Sequence, residues 1–183
     1  MDSCQRSQPM PGREIFMNEQ PRGARAVGKL TVGQPAPDFS LICETGQTIS
    51  LHDFRGKQVV LYFYPKDDTP HCTIEACKFR DAMSLVEQAG GVVLGVSADS
   101  PTSHRRFSQK CQLPFRLLSD EAGSVQRAYG ADRPILGRLP ILGRLLGPRR
   151  KTFIIDRAGR LKAIFHTVRV KGHAEEILTA LRA

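Results

Sequence analysis

The 183-residue sequence has no tryptophan, no glycine motif for nucleotide binding and no long apolar run. The lack of tryptophan excludes nothing, but without a G-x-G-x-x-G or P-loop pattern a nucleotide-dependent enzyme has no support. No segment approaches the roughly 20 apolar residues that span a bilayer. The first thirty residues also lack the apolar core of a secretory signal. We therefore expect a cytoplasmic protein without membrane insertion.

The number of cysteine residues is odd. The chain is long enough to bury a core of its own, so it does not need disulfides as staples, and a secreted disulfide framework is disfavoured. A metal site and a reactive thiol are the two alternatives that remain. The five cysteines are Cys4, Cys43, Cys72, Cys77 and Cys111.

Acidic residues are outnumbered, with 18 Asp and Glu against 27 Lys and Arg, a formal net charge of +9. Such a charge raises nucleic acid or an anionic surface as a partner. Aromatic residues make up only 7% and do not alternate with the basic ones, so base stacking has no support and we expect no specific nucleic-acid partner. We interpret residues 1–29 as a flexible basic extension, with Met10 and Met17 as alternative starts. Residues 131–150 form a Leu/Arg/Gly-rich loop, either a surface loop or a contact for a partner.

From residue 30 to 183 the hydrophobic pattern predicts one α/β domain. Continuous β-branched and aromatic runs predict buried strands, and a turn signal at 156–159 predicts a hairpin. Apolar residues at helical spacing predict helices between and after the strands. The order favours a mixed sheet covered by helices on both faces. The strands are predicted at 59–64, 91–97, 152–155 and 161–165, and the helices at 72–89, 103–110 and 174–181.

The stretch from Tyr64 to Cys77 carries the chemistry, because it leaves a buried strand and enters a helix. Thr69 and Pro70 suit the N-cap and the first position of that helix. Cys72 then lies at the third position, where the helix dipole and free N–H groups stabilise a thiolate. Sites of α/β proteins lie at such strand exits. These features make Cys72 a candidate nucleophile.

Cys77 follows Cys72 by five residues. In an ideal helix these positions are about 140° apart in rotation, and their Cα atoms are roughly 8–9 Å apart. A disulfide needs Cα atoms within about 7 Å, so these cysteines can bond only if the start of the helix unwinds. Taken alone, Cys77 is interpreted as a small buried apolar residue on the inner face of the helix.

Other chemistries are weaker. His71, Cys72 and Cys77 do not have the C-x₂-C spacing of a zinc site, and no second ligand pair follows. Asp67 and Asp68 are typical of a solvated turn. The absence of C-x-x-C disfavours a disulfide oxidoreductase.

With these residues described, the chain from 30 to 183 resembles a peroxiredoxin of the bacterioferritin-comigratory-protein or PrxQ subfamily. The pattern Pro65-x-x-x-Thr69-x-x-Cys72 matches the peroxiredoxin signature, and Cys77 matches the resolving cysteine of the subfamily. Further matching segments lie at 32–39, 95–100, 113–115, 118–120 and 150–156.

The resemblance implies a thioredoxin-like fold and thiol peroxidase activity in antioxidant defence, without metal or organic cofactor. Cys72 would attack a hydroperoxide and become a sulfenic acid. Thr69 would hydrogen-bond the peroxide, Arg150 would stabilise the charges, and Pro65 would shield the site from water. Cys77 would then form a disulfide with Cys72, which thioredoxin or a similar dithiol reduces. We expect the chain to act as a monomer.

Two positions depart from the pattern. His71 stands where the subfamily usually has glycine, and we expect it to face solvent. The Leu/Arg-rich segment before Arg150 is also unusual, and it makes Arg149 a competitor for the role of the active-site arginine.

Overall fold

The computed structural model describes residues 29–132, 148–166, 168, 170 and 172–183. Cys4, almost all of the predicted extension and most of the predicted loop at 131–150 lie outside the described residues. What we expect of them stays a prediction.

The described residues form one seven-stranded mixed sheet in the order β2-β1-β5-β4-β3-β6-β7. Its strands are β1 (Ser40–Cys43), β2 (Thr48–Ser50), β3 (Gln58–Phe63), β4 (Gly91–Ser97), β5 (Arg116–Ser119), β6 (Lys151–Ile155) and β7 (Leu161–Phe165). The helices are α1 (Pro70–Asp81), α2 (Met83–Gln88), α3 (Pro101–Cys111), α4 (Ser124–Ala128) and α5 (His173–Arg182), with a short 3-10 turn at Leu51–Phe54. The predicted α/β class, with a thioredoxin-like mixed sheet flanked by helices, is confirmed.

The centre of the sheet is the parallel pair β3 and β4, in which Leu61 lies opposite Leu94. Every residue of β3 is buried, as the apolar run that begins at Val59 predicts. On its other side β3 pairs antiparallel with β6, and Phe63 lies opposite Lys151. This register brings the start of β6 to the point where β3 ends.

The single helix predicted at 72–89 is wrong, because the chain bends at Ala82 between α1 and α2. Ala82 has ψ near −1°, outside the range of a regular helix. Phe79, Met83 and Val86 nevertheless all face the core. The apolar spacing continues through the bend. The sequence pattern therefore could not reveal that the helix is interrupted at Ala82.

Two hydrophobic cores lie on opposite faces of the sheet. The first core packs α1, α2, α3 and α5 against the face that carries Val60 and Tyr62. The second core packs α4 and the 3-10 turn against the face that carries Leu61 and Phe63. Within the described ranges, no helix is long and apolar enough to cross a membrane.

Candidate active site

The loop between β3 and α1 is fixed by the carboxylate of Asp67. The expectation of a solvated turn is wrong for Asp67, which is buried, and holds for Asp68, which is exposed. The Asp67 oxygens accept hydrogen bonds from the Tyr64 hydroxyl at 2.7 Å and from Ser103 Oγ at 2.7 Å, and Oδ2 lies 2.9 Å from Nδ1 of the fully buried His104. The Asp67 amide also donates to Asp99 Oδ2 at 2.8 Å. Buried polar groups satisfied in this way rigidify a segment. These bonds therefore hold the loop before α1 in one position against α3.

α1 begins as its sequence predicts, with Thr69 as N-cap residue, Pro70 at the first position and Cys72 at the third. The expected capping bond is absent, however. The Thr69 hydroxyl does not accept from a helical amide but donates to the carbonyl of Lys66 at 3.1 Å. The hydroxyl therefore supports the loop before the helix instead of capping the first turn.

Cys72 is 2% exposed and is held by Arg150. The Nη2 atom of Arg150 donates to Cys72 Sγ at 2.9 Å. Arg150 directly precedes β6, and the pairing of β6 with β3 places its side chain at the exit of β3. Arg149 is exposed. The cation at the sulfur is therefore Arg150, and a positive charge at this distance stabilises a thiolate.

Glu75, which our sequence analysis did not identify, completes the cluster. It lies one helical turn after Cys72, its side chain is 3% exposed, and it accepts a hydrogen bond from Nη1 of Arg150. Burial raises the pKa of Glu75 to about 7, although Arg150 acts in the opposite direction. A glutamate at spacing i+3 from the nucleophile, on the buried face of the helix, was the signal that could have revealed it.

The remaining predicted residues lie near this cluster without contacting the sulfur through a described hydrogen bond. Pro65 is half-buried in the loop, and His71 is exposed, as expected. Cys77 is half-buried and packs against the first core, to which Cys72 also belongs, but as a free thiol not bonded to Cys72. The structure therefore brings Cys72 and Arg150 together, adds Glu75, and leaves Cys77 on another side of α1.

A buried thiol at a helix N-terminus, beside an arginine that is itself held by a carboxylate, is a site for a nucleophilic thiolate. The described part of the chain contains no group of three or more His, Cys, Asp or Glu side chains that could hold a metal ion.

Comparison with known proteins gives one consistent result. Residues 32–164 match the model of the AhpC/TSA family. A Coxiella burnetii protein assigned as peroxiredoxin bcp is 47% identical over 154 residues, which is 83% of this chain and 99% of that protein.

Solved structures agree in fold. A cysteine-to-serine variant of PrxQ from Xylella fastidiosa superposes with a TM-score of 0.75 at 31% identity, over 85% of this chain and 98% of that one. The bacterioferritin comigratory protein of Xanthomonas campestris, whose structures address its alkyl peroxide reduction activity, has a TM-score of 0.73 at 33% identity, over 83% of this chain and 98% of that one.

Proposed function

Because this chain belongs to the AhpC/TSA family, as a thiol peroxidase of the Bcp/PrxQ type, we propose that Cys72 is the thiol that its hydroperoxide substrate oxidises. The observation that carries this proposal is the 2.9 Å bond from Arg150 to the Cys72 sulfur at the third position of α1. Arginine and helix dipole both favour the negative charge that makes sulfur a nucleophile.

In the proposed first step, the Cys72 thiolate attacks the terminal oxygen of the hydroperoxide. The O–O bond breaks, Cys72 becomes a sulfenic acid, and the leaving oxygen takes a proton to give water or an alcohol. Arg150 stabilises the charge that develops on the leaving oxygen. Thr69 positions the peroxide through its hydroxyl, and Pro65 covers the site against water.

In the proposed second step, the Cys77 thiol condenses with the sulfenic acid. A Cys72–Cys77 disulfide forms and one water leaves. The helical separation of roughly 8–9 Å between the Cα atoms requires the first turns of α1 to unwind before this bond forms. A dithiol protein such as thioredoxin then reduces the disulfide.

We further propose that residues 30–183 form the complete peroxidase unit and act as a monomer. The support is that Cys72, Cys77, Thr69 and Arg150 all come from one chain, within the span 32–164 that the family model matches, and that Arg150 reaches Cys72 without a second subunit.

Stopped-flow peroxide reduction with purified thioredoxin tests the proposal, with hydrogen peroxide compared against an organic hydroperoxide. Cys72→Ser abolishes peroxide consumption, and Cys77→Ser retains one turnover but loses the thioredoxin-coupled cycle. Cys43→Ser is the matched control, because Cys43 is buried in the second core across the sheet. Full turnover by Cys72→Ser would refute the proposal.

A further inference from the structure

A third cysteine lies beside Cys77, on the neighbouring helix. Cys111 is the last residue of α3 and is buried in the first core, against which Cys77 also packs. Arg80 follows Cys77 by three residues on α1, and its Nη1 donates to the carbonyl of Cys111 at 2.9 Å. Residues three apart share one face of a helix, so the face of α1 with Cys77 and Arg80 meets the end of α3 at Cys111.

A second contact, an exposed ion pair, joins the end of α3 to the active-site loop. Lys110 Nζ donates to Asp68 Oδ1 at 2.6 Å. Burial raises the pKa of the Cys111 thiol, and the charge and hydrogen bond of Cys77 raise it further. Cys77 and Cys111 therefore lie at the same contact between α1 and α3 in the reduced protein.

The two pairings available to Cys77 differ in what they require of the fold. A bond to Cys72 joins two positions of one helix that face different directions, so the start of α1 must unwind. A bond to Cys111 joins two thiols on neighbouring helices that already pack at the contact between α1 and α3. Refolding of α1 therefore favours the pairing with Cys111.

We propose that Cys111 takes over Cys77 from the Cys72–Cys77 disulfide, which releases Cys72 for a second reaction. The inference rests on the proposed function, which supplies that first disulfide. The Cys111 thiol loses its proton to solvent, and its sulfur attacks Cys77 Sγ. The Cys72–Cys77 bond breaks, the Cys77–Cys111 bond forms, and Cys72 leaves as a thiolate. The number of disulfides is unchanged, so no further oxidant is needed.

The environment of Cys72 sets the direction of this exchange. The expelled sulfur receives the hydrogen bond from Arg150 and lies at the N-terminus of α1, and a stabilised thiolate leaves faster. Cys111 has no described arginine bond to its sulfur, and burial disfavours its charge. Exchange therefore returns the negative charge to the place that stabilises it best.

Disulfide mapping by mass spectrometry in the absence of any reductant tests the proposal. One molar equivalent of hydrogen peroxide is added to the reduced full-length protein, and samples are trapped over time. A Cys72–Cys77 peptide appears first and is replaced by a Cys77–Cys111 peptide. A second equivalent then converts Cys72 to a sulfenic acid, which dimedone labels. Without an added reductant, wild type thus consumes about two equivalents of peroxide, about twice the amount that Cys111→Ala consumes.

Cys43→Ala is the matched control for Cys111→Ala, since it removes a buried thiol from the other core, and it behaves as wild type. Far-UV circular dichroism gives a second measure: after one equivalent, Cys111→Ala stays less helical than wild type, in which α1 has refolded. Disulfide mapping uses the wild-type protein, so its result does not depend on whether a variant folds.

Failure of this proposal is distinguishable from failure of the proposed function. A wild-type Cys72–Cys77 bond that persists without conversion overturns the exchange and leaves the peroxidase cycle intact. A Cys72–Cys111 peptide also overturns it, since Cys111 would then resolve the sulfenic acid itself. Peroxide consumption by Cys72→Ser overturns the proposed function instead.

Discussion

At the scale of single residues, the site consists of a sulfur and the groups that control its charge. Cys72 and Thr69 could be found from the sequence because they belong to one local pattern around a helix start, whereas Pro65 came from the family resemblance. Arg150 lies 78 positions after Cys72, and only the resemblance to a family pointed to it. Physical spacing alone cannot predict such a contact, because it depends on the register between β3 and β6.

Arg150 contacts both Cys72 and Glu75 through different nitrogen atoms. Arg150→Lys keeps the charge, but one ammonium group does not reproduce the fixed geometry of the planar guanidinium. We expect the second-order rate constant for peroxide reduction to fall about 10²–10³-fold. Stopped-flow kinetics measure this change. Arg149→Lys is the control and leaves the rate constant unaltered, whereas equal losses in both variants would contradict the assignment of Arg150.

Glu75 makes the stability of the protein depend on pH. Its pKa rises on folding from 4.5 to about 7 because it is buried. A raised pKa means that the stabilising, protonated form is fully populated below pH 4.5, and that this contribution is lost as the pH rises through 7. Between these two pH values the free energy of unfolding falls by on the order of 3 kcal/mol.

Urea unfolding of wild type and Glu75→Gln at pH 5 and pH 8 measures this effect. The amide does not titrate, so the variant gains stability relative to wild type as the pH increases. A difference between the two proteins that is the same at both pH values would show that Glu75 does not titrate in this range.

At the scale of structural elements, the loop before α1 is fixed at one end by Asp67. Asp67→Asn removes a buried carboxylate that accepts hydrogen bonds from Tyr64 and Ser103 and lies against His104. We expect a loss of about 2–4 kcal/mol in the free energy of unfolding. Peroxide reduction slows as well, because the loop leads directly to Thr69 and Cys72.

The neighbouring residue provides the control for this prediction. Asp68 is exposed and pairs with Lys110, and its φ of +56° lies in the left-handed region, which asparagine tolerates. Asp68→Asn therefore changes the unfolding free energy by no more than about 0.5 kcal/mol. Denaturant titration of both variants checks the contrast, and equal effects would contradict the anchoring role of Asp67.

The long elements were predictable and the short ones were not. β3 and β4 have 6 and 7 residues and are mostly apolar, whereas β2 has 3 residues and β1 and β5 have 4 each. A run of three or four residues shows too few periods to distinguish a strand from a loop. Those short strands form because they pair with one another and with β4: β5 pairs with β4, β1 with β5, and β2 with β1. Such pairing is a property of the assembled sheet.

At the scale of the whole molecule, chemistry and much of the stability lie on opposite faces of the sheet. Phe153 belongs to the second core, with its ring centroid 5.0 Å from that of Tyr129 and 5.8 Å from that of Phe63. Phe153→Ala leaves a cavity there and lowers the free energy of unfolding by about 3–5 kcal/mol. The rate constant for peroxide reduction by the folded protein stays within about threefold of wild type, since the Phe153 side chain packs in the second core and Cys72 lies in the first core.

Thermal unfolding and stopped-flow kinetics at a temperature where both proteins are folded check this separation. Leu85→Ala is the control, because Leu85 is 39% exposed on α2, and it costs no more than about 1 kcal/mol. A fall in rate that parallels the loss of stability would show that the two faces are coupled.

The bend at Ala82 has a kinetic consequence for the proposed cycle. In that cycle, each turnover unfolds and refolds the start of α1. The segment that can unfold as one unit ends where the helix ends. That unit is α1 with 12 residues, and α2 with 6 residues lies beyond the bend. Helix–coil relaxation of so short a segment takes about a microsecond or less, so refolding is not the slow step of catalysis. Met83 and Val86 meanwhile stay packed in the core, and the enzyme opens and closes many times without passing through its global unfolding transition.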